Sequence, residues 1–458
     1  MRFINFLRTR SKLTLGLLGV ALVLVLALGV YFLPPVHARL AWRVDELRSK
    51  IVYFFNPPHE AVFQPSEQSL LGTIVAQTMQ AYQTPAPPTR TPAPVETTGP
   101  TVEPTATSTP LPTTFELTGI KYEDQHGRNN YCGPANFSMA LNYWGWNGNR
   151  DVIGQALMPG NNIGKDGRVG NSDKNVMPYE LQDFIIQHVP GMTALIRYGG
   201  DVDVLHRLVA SGFPVVVEKG IYEKDMNGNV SWMGHYAFVT GYDDSTQEFI
   251  YQDTYHPEGA PPGPNRRISY EQFIDGWRAF DYIFIVVYPY DHEAQVLTLL
   301  GDHADENWAA RHALDIAENE VNTLTGVNQY FAWFNQGTSH VALTEYADAA
   351  SAYDQAFQLY ADLPGDEALR PYRMMWYQTG PYRSYFFSGR YMDVVNLANS
   401  TFKTISSPIL EESLYWRAQA EYMLGDTKSA VADYRAALAI HPGWEPATLA
   451  LQDLGVVP

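Results

Sequence analysis

The chain of 458 residues has a single cysteine, and the residues around it decide what that thiol can do. Cys132 stands in Gln125-His126-Gly127-Arg128-Asn129-Asn130-Tyr131-Cys132-Gly133-Pro134-Ala135-Asn136, directly before a helical run from Ala135 to Tyr143. Pro134 suits the first turn of that helix. The unpaired amides and dipole of a helix N-terminus lower a thiol pKa and favour the thiolate, which is the nucleophilic form. A lone Cys carries no such assignment by itself, because free cysteines commonly pack as small hydrophobes. The assignment comes from a second segment, Ser231-Trp232-Met233-Gly234-His235-Tyr236 through Tyr242, followed by Glu248 to Asp253. Read as two strands about the turn Asp243-Asp244-Ser245-Thr246, with the hairpin centred on Asp244, they bring His235 opposite Asp253. A carboxylate beside His235 would fix the imidazole tautomer, stabilise the imidazolium and leave the other ring nitrogen for Cys132.

These marks resemble the papain-like domain of the bacteriocin-leader-processing (double-glycine) peptidase family over residues 118 to 290. The resemblance rests on Gln125 ahead of Cys132-Gly133-Pro134-Ala135, on Gly234-His235 with Thr240-Gly241-Tyr242-Asp243, on Asp253, and on the helix Ser269 to Trp277. It implies Cys132 as nucleophile, His235 as general base and acid, Asp253 as orienting carboxylate, and Gln125 as an oxyanion donor beside the Cys132 amide. Two positions depart from the family pattern. Gln125 precedes the cysteine by seven residues where six is usual, and Thr254 follows Asp253 where many relatives have Pro. His126 and His256 read as loop residues. Neither paired-Cys nor His-Glu-x-x-His zinc spacing is present, nor a phosphate-binding glycine loop, so no metal and no cofactor is expected.

Positioning elements follow from the rest of the sequence. Residues 115–290, with strand-like runs such as Pro214-Val215-Val216-Val217 and Tyr282 to Val287, read as an α+β peptidase-like domain. Residues 291–458 read as an all-α unit able to fold by itself. Gly337, Ala349, Tyr353 and Ala356 occupy small and aromatic positions that resemble a tetratricopeptide repeat, and Ala418, Ala430, Tyr434, Ala437 and Pro442 repeat the pattern. A diverged copy offers Tyr382, Val394 and Ala398, and residues 313–320 resemble part of another unit.

At the N-terminus, residues 1–12 are basic and 13–33 form an uncharged run of 21 residues, long enough for a transmembrane helix across ~30 Å of hydrocarbon. A cleaved signal peptide ending near Ala38 is the competing reading. Residues 34–83 are expected to be a juxtamembrane helical segment, with Leu40, Val44, Leu47 and Ile51 at helical spacing. Residues 84–114 hold nine Pro and eleven Thr, the composition of an extended stalk. Such stalks favour a single-pass membrane protein with its folded part outside the cytoplasm. The chain carries a formal charge of −18 although residues 1–50 are basic, so its downstream part is strongly acidic and lacks the footprint for nucleic acid. The expected activity is hydrolysis of a peptide or related amide bond in a peptide or protein substrate, at a membrane-anchored site. Two alternatives remain open: acyl transfer to an amine, and a peptide-binding adaptor whose peptidase-like domain is inactive.

Overall fold

The computed structural model describes residues 12–66 and 110–458, except 127, 129, 160–174, 226–227, 256–261, 367–368 and 407–409. His256 and stalk residues 84–109 therefore lie outside the described residues. The chain divides into a unit ending at Asn56 and a unit Pro57–Pro458. The first contains two helices, Lys12–Tyr31 and Pro34–Phe55. Leu33 lies in extended backbone and Pro34 opens the second helix at its first turn, where a missing amide costs nothing. The expected span 13–33 thus ends two residues early, at Tyr31. Among the described residues no helix is long and apolar enough to cross a membrane, and part of the side chains of this helix lie outside them.

In the second unit, seven strands among the described residues form one antiparallel sheet. They are β1 (Thr114–Glu116), β2 (Met192–Arg197), β3 (Val215–Lys224), β4 (Val230–Asp243), β5 (Glu248–Gln252), β6 (Arg266–Ser269) and β7 (Phe284–Pro289). The order is β2-β7-β3-β4-β5-β6, with β1 on β4. The last five residues expected in the stalk already belong to this unit: the Pro112 carbonyl accepts from the Tyr242 hydroxyl at 2.8 Å, and the Thr113 carbonyl from the Asp244 amide at 2.8 Å.

Both faces of the sheet are covered, which explains why β3 and β7 read as continuous apolar runs instead of alternating ones. Val216, Phe238 and Ile285 pack under the helices Cys132–Tyr143 and Pro178–His188, against Phe137, Leu141 and Leu181. Val215, Val217 and Phe284 face the other way, against Leu205, Leu208, Phe273 and Trp277. Local caps hold these helices in place. Asn149 accepts from the Asp151 and Val152 amides, and Glu180 reaches back to the Met177 amide at 2.8 Å.

Downstream of β7 the described chain is helical, and its helices pair in sequence order, Gly326–Ala342 with Tyr346–Ala361 and Glu411–Met423 with Thr427–Ile440. The residues expected at repeat positions, Ala349, Tyr353, Ala356, Tyr382, Val394, Ala398, Ala418, Ala430, Tyr434 and Ala437, are all buried. Gly337 permits the closest approach, since a Cβ there would lie 2.7 Å from three atoms of the buried Tyr353 ring. Gly337→Ala gains about 1 kcal/mol of helix propensity and loses about 1–3 kcal/mol to overpacking. A net loss near 1 kcal/mol is expected, read as a lower urea midpoint.

The first part of this helical array shares its core with the peptidase-like part, whereas its last helices bury a cluster of their own about Leu414 and Tyr434. Trp232, Phe280 and Ile283 share one cluster with Tyr330, Phe331, Phe334, Tyr353 and Phe357. Residues 57–66 join the same cluster from the N-terminal side. The Phe63 ring packs edge-on to Phe357 at 5.1 Å, and Glu60 receives both the Tyr360 hydroxyl at 2.5 Å and the Arg370 guanidinium at 2.5 Å. This stretch, expected as helical, is an extended segment laid on the array, because Pro57 and Pro58 end the preceding helix and its anchors are the ion pair and the ring.

Candidate active site

Cys132 is the first residue of the Cys132–Tyr143 helix, with Tyr131 as its N-cap. The thiol is therefore presented at the end where backbone amides are unpaired. Burial pushes its pKa up, but a hydrogen bond and the positive charge of His235, with the Tyr236 and Gly133 amides, outweigh that and bring it below its ordinary value. His235 lies near the middle of β4 and is buried. Burial lowers its pKa, yet Asp253 and Cys132 together raise it to about 9. Its Nε2 lies 2.9 Å from Asp253 Oδ1, which leaves Nδ1 to face the thiol.

The carboxylate arrives by a different register from the expected one. The β4–β5 pairs are Asp243↔Glu248, Tyr242↔Phe249, Gly241↔Ile250, Val239↔Tyr251 and Phe238↔Gln252, with a bulge at Thr240. Gln247 closes the loop with φ of 56°, so β5 starts at Glu248, later than a turn centred on Asp244 requires. Continuing the pairing by one position puts Ala237, not His235, opposite Asp253. Directly across from His235 on the other neighbour strand is Lys219. Asp253 meets the imidazole on a diagonal, from just beyond the end of β5, where its backbone is fixed by Gly263 and by the Tyr122 hydroxyl at 2.8 Å.

Around Asp253 the charge is arranged to keep it ionised. Burial pushes its pKa up, and His235, Arg266 and the Tyr255 amide, the last at 3.0 Å from Oδ1, bring it below the usual carboxylate range. Arg266 pairs with the other oxygen, Oδ2. Burial brings Lys219 down to about 8 with Asp253 opposing the shift.

Asn136 was part of the sequence motif but carried no role there. One turn after Cys132 and fully buried, its Nδ2 donates to the Cys132 carbonyl at 2.8 Å and the Tyr236 carbonyl at 3.0 Å, with Thr254 Oγ1 at 3.5 Å. One amide group thus ties the nucleophile's helix to the histidine strand and reaches toward the segment after Asp253. A side-chain amide one turn after the cysteine, on the largely apolar inward face of its helix, was the available signal. Gln125 lies beside the same segment: its amide donates to the Thr254 carbonyl at 3.0 Å, and its Oε1 accepts from Thr254 Oγ1 at 3.2 Å. Thr254, in the place where relatives have Pro, supplies both contacts. His126 is an exposed loop residue hydrogen-bonded to Asp124.

Two groupings among the described residues have the donor types for a cation, Glu180 with Glu411 and His441, and His340 with Glu345 and Asp348. In the first, His441 already pairs with Glu411 at 3.1 Å and Glu180 caps its own helix. In the second, His340 pairs with Glu345 at 2.8 Å.

A half-buried thiol, an imidazole and a carboxylate in that order can run acyl transfer through a thioester. The sequence model of the Peptidase_C39 like family matches residues 117–283. That segment is peptidase-like. The match supports a papain-like cysteine-peptidase domain and covers the seven-stranded sheet from just after β1 to the start of β7, while leaving the helical region outside it. No curated protein matches the chain.

A thiolate–imidazolium pair at these two residues would set a pH profile. With Cys132 below its ordinary 9.0 and His235 raised to about 9, that pair is lost as the imidazolium deprotonates. Turnover per mole of enzyme is expected to fall above about pH 9, measured as kcat/KM across pH 5–10.

Proposed function

We propose that this protein is a membrane-anchored, extracytoplasmic thiol hydrolase that cleaves a peptide or related amide bond through Cys132, His235 and Asp253. The observation that carries the reading is the His235 imidazole held at 2.9 Å by Asp253 on one side and hydrogen-bonded to the Cys132 thiol on the other. The thiolate attacks the scissile carbonyl carbon, and the carbonyl π pair moves to oxygen. The oxyanion is met by the Cys132 amide and the Gln125 side chain. Collapse expels the amine, which takes its proton from His235, and leaves an acyl thioester on Cys132. Water, deprotonated by His235, then attacks that thioester and releases the acid with return of the thiol. An amine in place of water would give acyl transfer with the same residues.

The helix pairs after residue 300 are read as tetratricopeptide-type units stacked on the peptidase-like sheet, supported by their buried small and aromatic positions. The uncharged run 13–33 and the Pro/Thr-rich stretch before β1 support the anchor and the stalk. The deciding measurement is mass spectrometry of products from a peptide library with wild type and Cys132→Ala. Products formed only by the wild type support hydrolysis, and identical product lists refute it. Sedimentation of the full chain with membranes after carbonate washing checks the anchor, and recovery in the wash would refute it.

A further inference from the structure

The helical array closes part of the same sheet face that carries the Cys132 helix. Tyr236 packs beneath Gly133, and two residues earlier a Cβ on Gly234 would lie 2.7 Å from Phe280 and 2.9 Å from Tyr377. Between these two coverings lies a cavity of about 540 Å³, within the ~300–1,000 Å³ typical of ligand sites. Met177, Leu195 and Glu218 line it from the peptidase-like side, and Ala310, Val341 and Tyr353 from the array. Glu306, Thr344 and Arg383, all exposed, mark its mouth.

Glu218 connects this cavity to the nucleophile. It pairs with Tyr236 in the β3–β4 register, next to His235, and it is 3 % exposed. Burial first, and then the nearby Cys132 charge, push its pKa well above the usual carboxylate value against a hydrogen bond with Tyr236, which favours its protonated, hydrogen-bond-donating form. A protonated acid on the wall of a cavity that also offers Met177, Leu195, Ile283 and Val341 matches a peptide carbonyl flanked by a bulky apolar side chain.

We propose that this cavity is a substrate subsite, built jointly by the sheet and the helical array, that takes a peptide segment with a bulky apolar side chain while Glu218 donates to its backbone carbonyl. The inference rests on the reading of Cys132 as the nucleophile. It gives the array a part in specificity, through its walls and not through a separate groove.

The test uses the full chain carrying Cys132→Ala as a trap for a synthetic library of randomised acetylated octapeptides, with retained peptides sequenced by mass spectrometry. Peptides containing Leu, Ile, Met or Phe should be retained at least tenfold over those with only small and polar residues. Adding Val341→Trp or Ala310→Phe, each checked for folding by its thermal melt, should reduce that retention at least tenfold by filling the space. Glu218→Gln keeps a donor and should hold retention within about threefold, whereas Glu218→Leu should lose it tenfold. No apolar enrichment, or the same retained peptides with either cavity filled, would overturn the proposal. Fast alkylation of wild-type Cys132 together with that result would sink the subsite and leave the nucleophile standing. Slow alkylation with cavity-dependent retention would do the reverse.

Discussion

Cys132 should react with iodoacetamide at pH 6 about tenfold faster than an ordinary cysteine, and His235→Ala should remove most of that excess. A thiol of pKa near 8.5 is only about 0.3 % thiolate at pH 6, so full ionisation could raise the rate some 300-fold at most. Intrinsic nucleophilicity falls as the pKa falls, which trims the gain to roughly tenfold for a thiol that titrates near the working pH. The direction is set by named groups: burial works against the thiolate, while His235 and the Tyr236 and Gly133 amides work for it. Removing the imidazole takes away the two largest stabilising contributions and leaves a half-buried thiol whose pKa rises. Asp253→Asn should act at another step. It retains a group able to hydrogen-bond Nε2 but favours the wrong tautomer, and in the serine-protease precedent this change cost about ten-thousand-fold in kcat. Here a loss of about 10²–10⁴-fold in turnover is expected, with a smaller effect on alkylation. Alkylation that is slow at pH 6 and unchanged in His235→Ala would refute the catalytic assignment.

A chain ending at Tyr290 should fail to fold, although it retains every residue of the family match and all seven strands. Truncation strips the array from Trp232, Phe280 and Ile283, which are 1 %, 3 % and 3 % exposed in the whole protein. Re-exposing each large apolar side chain costs about 1.5–3 kcal/mol, so these three alone approach the ~5–15 kcal/mol net stability of a domain. Polar losses add to this. Arg197 in β2 donates to the carbonyls of His303 at 2.8 Å and Ala304 at 2.9 Å, and the buried Arg373 binds Ser231 Oγ and, at 2.9 Å, the Trp232 carbonyl at the start of the histidine strand. Without these partners, buried polar groups are left unmatched. The expected result is loss of a cooperative thermal transition by circular dichroism and loss of fast Cys132 alkylation. A truncated chain that melts cooperatively near the full-length temperature would show that the two parts are energetically separable. The isolated array should lose stability in its first part, whose cluster loses the same residues and Phe63, while the cluster about Leu414 and Tyr434 is untouched.

Local chemistry was legible from the residues alone. Cys-Gly-Pro ahead of a helical run is a short-range signal, and the thiol does stand at the first position of that helix. The apolar runs of β3 and β7 and the small and aromatic spacing of the C-terminal third are likewise properties of neighbouring positions, which is why they could be read without coordinates. His235 and Asp253 lie 2.9 Å apart, on a register other than the expected one. A bulge at Thr240 and the left-handed Gln247 each shift the hairpin, and such features depend on what the strand packs against more than on its own sequence.

Long-range convergence is what tertiary structure alone decided. Nothing in the spacing of Cys132, Tyr236 and Thr254 states that the Asn136 amide meets all three, because it stands up to 118 residues from them and they meet only when the helix lies on the sheet. The same holds for Arg266, which reaches Asp253 from β6, and for Glu218, whose raised pKa follows from burial beside Cys132 and not from its neighbours in sequence. The expectation of an independent helical unit failed to anticipate the shared core for a related reason. Periodicity reports that a helix has an apolar face, but which surface covers that face is settled by shape and by the burial gained, and here the cover is Trp232 from β4 and Phe280 from the short turn before β7.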